Sequence, residues 1–503
     1  MASMTTTVMS ANAKPQRIWS APPQRARTPV RTTLLAGLLC CALPSLAAEF
    51  TVDVSTDSTD ALPGDDICAD AALHCSLRAA VQESNASAGA DTIVLSAGDI
   101  VLSLAGVSED AAASGDLDVT SAIAIRGAGR DVTRIDAAGL DRVFDVPAGG
   151  NLTLEALQFG GGVQTALNGT ETAMSGGGLL VREGANAQLI EVTAQGNRAR
   201  RNGAAIAVFG SVSASRVLLL NNEAEESFGI GGAVYIGTTA ASLVIEDSEM
   251  RDNLAHLGGA IHSNAAAATI RIERSLLTGN AAGDGGALYA NFGDSQWLLR
   301  NVTISDNHAN AGGALFGDGA NELRFEHCTI TRNHATGPNG GGAIFDVRGS
   351  ANPNFIPIEL VNTIVSGNTQ LFGRECNTVF PDVIVSSGGT LHAPGDACRM
   401  RAGIGDIATL TAGIAPLADN GGYTRTHALL PDSIAIDAAL PAACASVDQR
   451  GRTRPLDGND DGQAVCDIGA FEFADPIFAG DFDDIGRAAL ARTAALSDHR
   501  RGP

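Results

Sequence analysis

The sequence predicts an all-β fold, a parallel β-helix, on three observations. A Gly-Gly-Ala signature followed by an aliphatic and a ring residue recurs on a beat of about 27 residues. An asparagine keeps the same beat. The residues ahead of that asparagine alternate apolar and polar, the period of two that turns one face of a strand inward. A 27-residue unit of short strands cannot bury its apolar face alone, so the units must stack into one continuous core.

The signature reads Gly231-Gly232-Ala233-Val234-Tyr235, then Gly258-Gly259-Ala260-Ile261-His262, then Gly285-Gly286-Ala287-Leu288-Tyr289. It continues as Gly312-Gly313-Ala314-Leu315-Phe316 and Gly341-Gly342-Ala343-Ile344-Phe345, with fainter copies at Gly203 and Gly177. Glycine pairs suit corners, where the chain turns sharply or takes positive φ. Asn253, Asn280, Asn307, Asn333 and Asn368 each close a strand-like run, and their amides can bond from coil to coil. Three positions before them lie Met250, Leu277, Ile304, Ile330 and Val365. Stacking about 4.8 Å apart, about ten coils of about 27 residues are expected.

Composition narrows the class. The chain has 503 residues, 59 glycines and 4% aromatics, and 45% of it is hydrophobic. The glycines have no three-residue period, which excludes collagen, and the apolar content excludes a disordered acidic chain. Residues 1–48 hold Lys14, Arg17, Arg25, Arg27 and Arg31, no acid, and an apolar run from Thr32 to Leu43. This is the layout of a secretory signal peptide, with a run too short for a membrane span. Taking these five from 33 bases leaves 28 against 56 acids, a net charge of −28. Such a chain repels nucleic acid, and no transmembrane segment is expected after cleavage. Seven cysteines remain. A local scheme pairs Cys68 with Cys75, Cys376 with Cys398 and Cys444 with Cys466, as an oxidising compartment favours. Cys328 is left over, in an inward slot that other coils fill with Ser248, Ser275, Val302 or Thr363.

The opening stretch carries a resemblance. Phe50-Thr51-Val52 leads to Pro63-Gly64-Asp65, Cys68 and the run Cys75-Ser76-Leu77-Arg78-Ala79-Ala80-Val81-Gln82-Glu83-Ser84-Asn85-Ala86. Asp116-Leu117-Asp118-Val119 and Ile125-Arg126-Gly127-Ala128-Gly129 follow. These segments resemble the CSLREA opening of bacterial secreted and surface proteins, with Ala79 where that pattern has glutamate. Pro416 to His427, Asp448-Gln449-Arg450-Gly451 and Cys466 to Glu472 resemble a choice-of-anchor module, and the Gly-Gly-Ala and Asn repeats resemble those of polymorphic outer-membrane proteins. The resemblance implies a right-handed, pectin-lyase-like β-helix, secreted or displayed on the outer cell surface of a bacterium. It implies no single activity.

The expected organisation is a signal peptide (1–48), an N-terminal cap and first coils (49–110), β-helix repeats (111–375), a C-terminal module (376–475) and a polar tail (476–503). A capping helix is expected within 70–88, with Leu73, Leu77, Ala80, Val81 and Ser84 on one face and Arg78 in a salt bridge. The C-terminal module either covers the far end or folds back along the coils.

Candidate sites are few. Asp457, Asn459 and Asp461 begin a calcium-loop pattern whose twelfth position is Ile468 rather than glutamate. Calcium is the one cofactor suggested. Tyr235, His262, Tyr289, Phe316 and Phe345 form a ring-bearing stripe. Alternation throws it outward as a binding stripe, unless a corner glycine breaks the alternation and makes it core. His308 and His334 stack one coil apart and read as surface residues. Two function classes stay open. One is an adhesin or a scaffold binding an extracellular polysaccharide or a neighbouring or host cell-surface protein, expected as a monomer. The other is a calcium-assisted polysaccharide lyase or glycoside hydrolase, drawing on Asp252, Asp284, Asp306, Asp318, His256 or His308. The near-unbroken repeat favours binding over a catalytic cleft, and the inserts at 156–178 and 348–358 are where a cleft would lie.

Overall fold

The computed structural model describes residues 47–474, except 108, 167, 226, 238–240, 292, 320, 339, 349–355 and 396–397. The segment expected as a signal peptide, up to residue 46, and the tail lie outside the described residues. The chain forms a parallel β-helix. Each regular coil contributes one strand to each of four sheets, in the order Thr269–Glu273, Leu276–Thr278, Ala281–Asp284 and Leu288–Ala290. Numbered in that order, the first to fourth sheets hold twelve, twelve, eight and ten strands among the described residues. Every pairing between neighbouring coils is parallel, as in Thr269↔Gln296 and Leu276↔Thr303.

Each corner has a physical cause. Between the first and second sheets one residue per coil takes positive φ, from 46° at Arg274 to 56° at Arg216. Between the third and fourth sheets the first glycine of four pairs does so, Gly231, Gly258, Gly285 and Gly312, at 66–69°. The second glycine has another reason. A Cβ on Gly286 would lie 2.8 Å from the His308 carbonyl oxygen and press on the Gly313 carbonyl of the next coil. One glycine thus supplies the turn and the other supplies the close approach of two backbones.

Inside, the aliphatics from all coils make one continuous core, from Phe50 to Met400. Cys328 is a fully buried free thiol there, its pKa pushed up to about 12 by burial. The asparagines form the expected ladder and extend it. Asn197, Asn222, Asn253, Asn280, Asn307 and Asn333 each donate a side-chain N–H to the next asparagine's Oδ1, at 2.9–3.0 Å. Asn368 ends the series by donating its backbone N–H to Glu375 Oε1 at 3.1 Å. Burial pushes the Glu375 carboxyl up to about 7 from an ordinary 4.5, against the Asn368 bonds that lower it. The folded chain therefore holds a proton between these values that the unfolded chain has released. This contribution makes stability fall as pH rises from about 4.5 through 7. E375Q, which keeps one carbonyl acceptor, is expected to flatten the decline in urea midpoint measured over that window.

The helix spans Leu77–Ala86 and plugs the N-terminal end. Ser76 caps it by accepting the Ala79 N–H at 3.0 Å. Leu77, Ala80 and Val81 face the core. Leu73 does not join them: it sits at φ 67° and is 84% exposed. The Asp70 side chain accepts N–H groups from Ala72 and His74 there and folds the segment into a turn. Arg78 is fully buried, pairs with Asp57 at 2.6 Å, and donates to the carbonyls of Ala112, Gly115 and Asp116. The cap thereby anchors the segment that leads into Asp118.

Cys68–Cys75, Cys376–Cys398 and Cys444–Cys466 pair, with Cα separations of 5.1, 4.4 and 5.9 Å. After Ile407–Ala408 the chain folds back along the second sheet. Thr303 Oγ1 donates to Gln449 Oε1 at 2.6 Å, Ala470 N–H donates to Thr329 Oγ1 at 3.0 Å, and Asn301 Nδ2 donates to the Val447 carbonyl at 2.9 Å. A second apolar cluster with Leu429, Ile468 and Phe471 seals that contact. Among the described residues no helix is long and apolar enough to cross a membrane.

Candidate functional site

The fourth sheet carries the features that the core does not explain. Its middle residues stand in register through successive coils: Asp118, Asp145, Leu180, Ala207, Tyr235, His262, Tyr289, Phe316 and Phe345. Their neighbours Val234, Ile261, Leu288, Leu315 and Ile344 point into the core, so this column points away from it. Neighbouring rings from Tyr235 to Phe345 stack with centroids 4.7–5.8 Å apart. The stripe is outward yet mostly covered: Tyr235 and His262 are 1% exposed, Tyr289 and Phe316 are 8% exposed, and Phe345 is half-buried.

Part of that cover comes from the insert at 156–178, which supplies Glu171 to accept the Tyr235 hydroxyl proton. Burial, then Glu171, raises the Tyr235 pKa. His262 is sandwiched between Tyr235 and Tyr289, and burial pushes its pKa down to about 3, so it is neutral near pH 7.

At the other end of the column lies an acidic cleft of about 450 Å³. Asp110, Asp141, Asp145, Arg142, Arg182 and Gln164 line it, with Leu180 as an apolar floor and Thr165, Ala166, Asn168, Thr170, Thr172 and Ala173 of the insert along one wall. Arg182 donates to both oxygens of Asp145, at 2.9 and 2.6 Å, and to Asp110 at 2.6 Å. Burial opposes the charge of Arg182, but Asp145 and Asp110 more than restore it. Arg142 lies 3.7 Å from both Asp116 and Asp141. Burial pushes Asp116 up to about 8, and Asp141, Asp118 and Asp145 add to it. Burial also pushes Asp118 up to about 7, against the Ala112 N–H bond that lowers it. Oxygens of Asp110, Asp118 and Asp145 lie within 4.8 Å of one another, a spacing that could hold a metal ion.

The groups singled out from sequence fall elsewhere. In the loop at 457–462, Asp457 accepts the Gly462 N–H, Asn459 that of Asp461, and Asp461 that of Gln463, at 2.8–3.0 Å. Those oxygens hold the loop's own backbone. His308 and His334 sit on the third sheet with ring centroids 6.0 Å apart, and His334 bonds Thr369. Asp252 and Asp306 occupy positive-φ corners, and Asp306 pairs with Arg332. Asp284 and His256 share the third sheet, while Asp318 follows a strand of the fourth. These six groups are spread over different sheets and corners. The acids of the cleft were not among the sequence candidates, although Asp145 follows Asp118 by one 27-residue beat.

No family model matches the chain, and neither a curated protein nor a solved structure matches it.

Proposed function

We propose that the protein is an exported or surface-displayed β-helix scaffold that binds an extracellular glycan in the cleft at Asp110–Arg182. The observation that carries this reading is the lining of the cleft. Carboxylates, two guanidinium groups, the Gln164 amide and the hydroxyls of Thr165, Thr170 and Thr172 converge around an apolar floor. Planar polar groups around a small apolar surface suit a polyhydroxylated ligand, and about 450 Å³ lies within the usual size of a ligand site. The basic leader and the likeness of both ends of the chain to secreted proteins support export. The excess of acid in the cleft favours a neutral sugar over a polyanionic one.

Binding of the exported chain to an array of neutral and uronic glycans tests this reading. A neutral glycan is expected to bind. The double variant N168A/T172A, on the cleft wall, is expected to weaken it about tenfold, as losing one or two hydrogen bonds does. A folded protein that binds no glycan sinks the proposal. A second reading, a lyase or glycoside hydrolase, draws on Asp141 and Asp145, two carboxyls that line the same cleft and whose pKa burial raises. Unsaturated products or new reducing ends in the same samples would establish it instead.

A further inference from the structure

We infer that Asp110, Asp118 and Asp145 form a divalent-cation site in the wall of this cleft, and that calcium is the ion it fits. The three carboxylates come from different parts of the chain. Asp118 and Asp145 sit side by side on neighbouring strands of the fourth sheet, and Asp110 reaches them from the loop before it. An oxygen of each lies within 4.8 Å of the other two. Asp110, Asp141 and Asp145 line the cleft beside Arg142 and Arg182, with Asp116 and Asp118 buried next to them, so carboxyl groups outnumber guanidinium groups here.

Three buried oxygens here have no hydrogen-bond partner: Asp118 Oδ1, Asp141 Oδ2 and Gln164 Oε1. Asp118 is fully buried; its Oδ2 accepts the Ala112 N–H at 2.8 Å, and its Oδ1 accepts nothing. Gln164, outside the acidic cluster, gives an independent sign. It is 3% exposed and lines the same cleft as Asp110 and Asp145. Its Nε2 donates to the carbonyls of Ala166 and Ala173, which orients the amide, and its Oε1 has no partner. A buried acceptor of this kind is costly unless something positive meets it.

The donor set is all oxygen, from three carboxylates. That set suits calcium, which takes six to eight oxygens at flexible angles, better than zinc, which prefers nitrogen and sulfur. Arg182 does not block the ion, because each carboxylate has about four acceptor positions and the guanidinium uses one or two. The inference does not rest on the glycan reading, since the ion alone is the probe.

Isothermal titration of the chelator-treated chain with calcium chloride tests it. Saturable binding is expected below about 10 mM, above the range in which extracellular calcium modules bind. D110N, at an exposed position, and D118N are each expected to weaken it about tenfold or more, while D457N/D461N leaves it unchanged. Unchanged binding in a folded D110N protein overturns the site, whatever D118N does to folding. So does loss of binding in D457N/D461N, which would place the ion in the C-terminal loop. No saturable heat with calcium, magnesium or manganese up to about 10 mM overturns it as well.

Discussion

Replacing Gly286 with alanine is expected to destabilise the coils around it by about 3 kcal/mol or more, at the top of the range for overpacking. The φ of this glycine lies outside the left-handed region, so the cost is one of space. A Cβ would press on the Gly313 carbonyl and lie 2.8 and 2.9 Å from the carbonyl oxygen and nitrogen of His308. All three obstacles are backbone atoms fixed by hydrogen bonds of the next coil, so no side chain can swing away. The Gly286 N–H itself bonds the Gly312 carbonyl at 2.9 Å, and a shifted backbone would lose that bond. Gly196 is the control: it has φ 64° and nothing within 4 Å of its added Cβ. G196A should cost about 1 kcal/mol, the price of a left-handed residue alone. Urea unfolding of both variants, with hydrogen exchange over residues 258–316, checks the contrast. Equal midpoints for the two would mean that the coils can separate to admit a methyl group.

Changing Asn280 to aspartate is expected to be similarly damaging at pH 8 and milder in acid. The Asn280 amide is fully satisfied. It donates to the Met250 carbonyl and to Asn307 Oδ1, both at 2.9 Å, and accepts two N–H groups from Asn253 at 2.9 and 3.1 Å. A carboxylate accepts but cannot donate. It would face two acceptor oxygens in a fully buried position. Two buried acceptors left unmet, at about 1–3 kcal/mol each, make a loss of about 4 kcal/mol the expected result. The buried charge adds to this, unless the group takes up a proton. Lowering the pH restores one donor, so the deficit of N280D should shrink in acid, while that of N280A should stay nearly constant. Urea midpoints at pH 5 and pH 8 read the difference.

Legibility in the sequence followed repetition of residue type. The glycine pairs and five of the ladder asparagines stand out because the same side chain recurs at the same step. Asn197 and Asn222 belong to the same ladder but are harder to see, because the chain between successive rungs is longer or shorter there while the register is kept. The positive-φ corner of the first sheet is harder still. Glu191, Arg216, Asp247, Arg274, Asn301, His327 and Asn362 share a backbone shape and no chemistry. Alternation left the ring stripe either outward or, if a corner glycine broke the pattern, in the core; it stands outward, and the burial of Tyr235 involves Glu171, a residue of an unrepeated insert. The insert at 156–178 was also where a cleft was expected. Its acids were missed because Asp118 and Asp145 hold the column position that other coils give to aromatic rings. A search by residue type passes over them, whereas a search by register would find them.

The asparagine ladder also has a direction. Every rung gives its N–H toward the following coil and receives at its oxygen from the preceding one. An amide at the last position would leave a donor free to continue the series. Glu375 in its ionised form has only acceptors, so it can close the chain of amides but cannot pass it on. The length of the ladder is thus set by the chemistry of its final residue: ionised, above about pH 7, Glu375 ends the run of amides, and protonated it regains one donor.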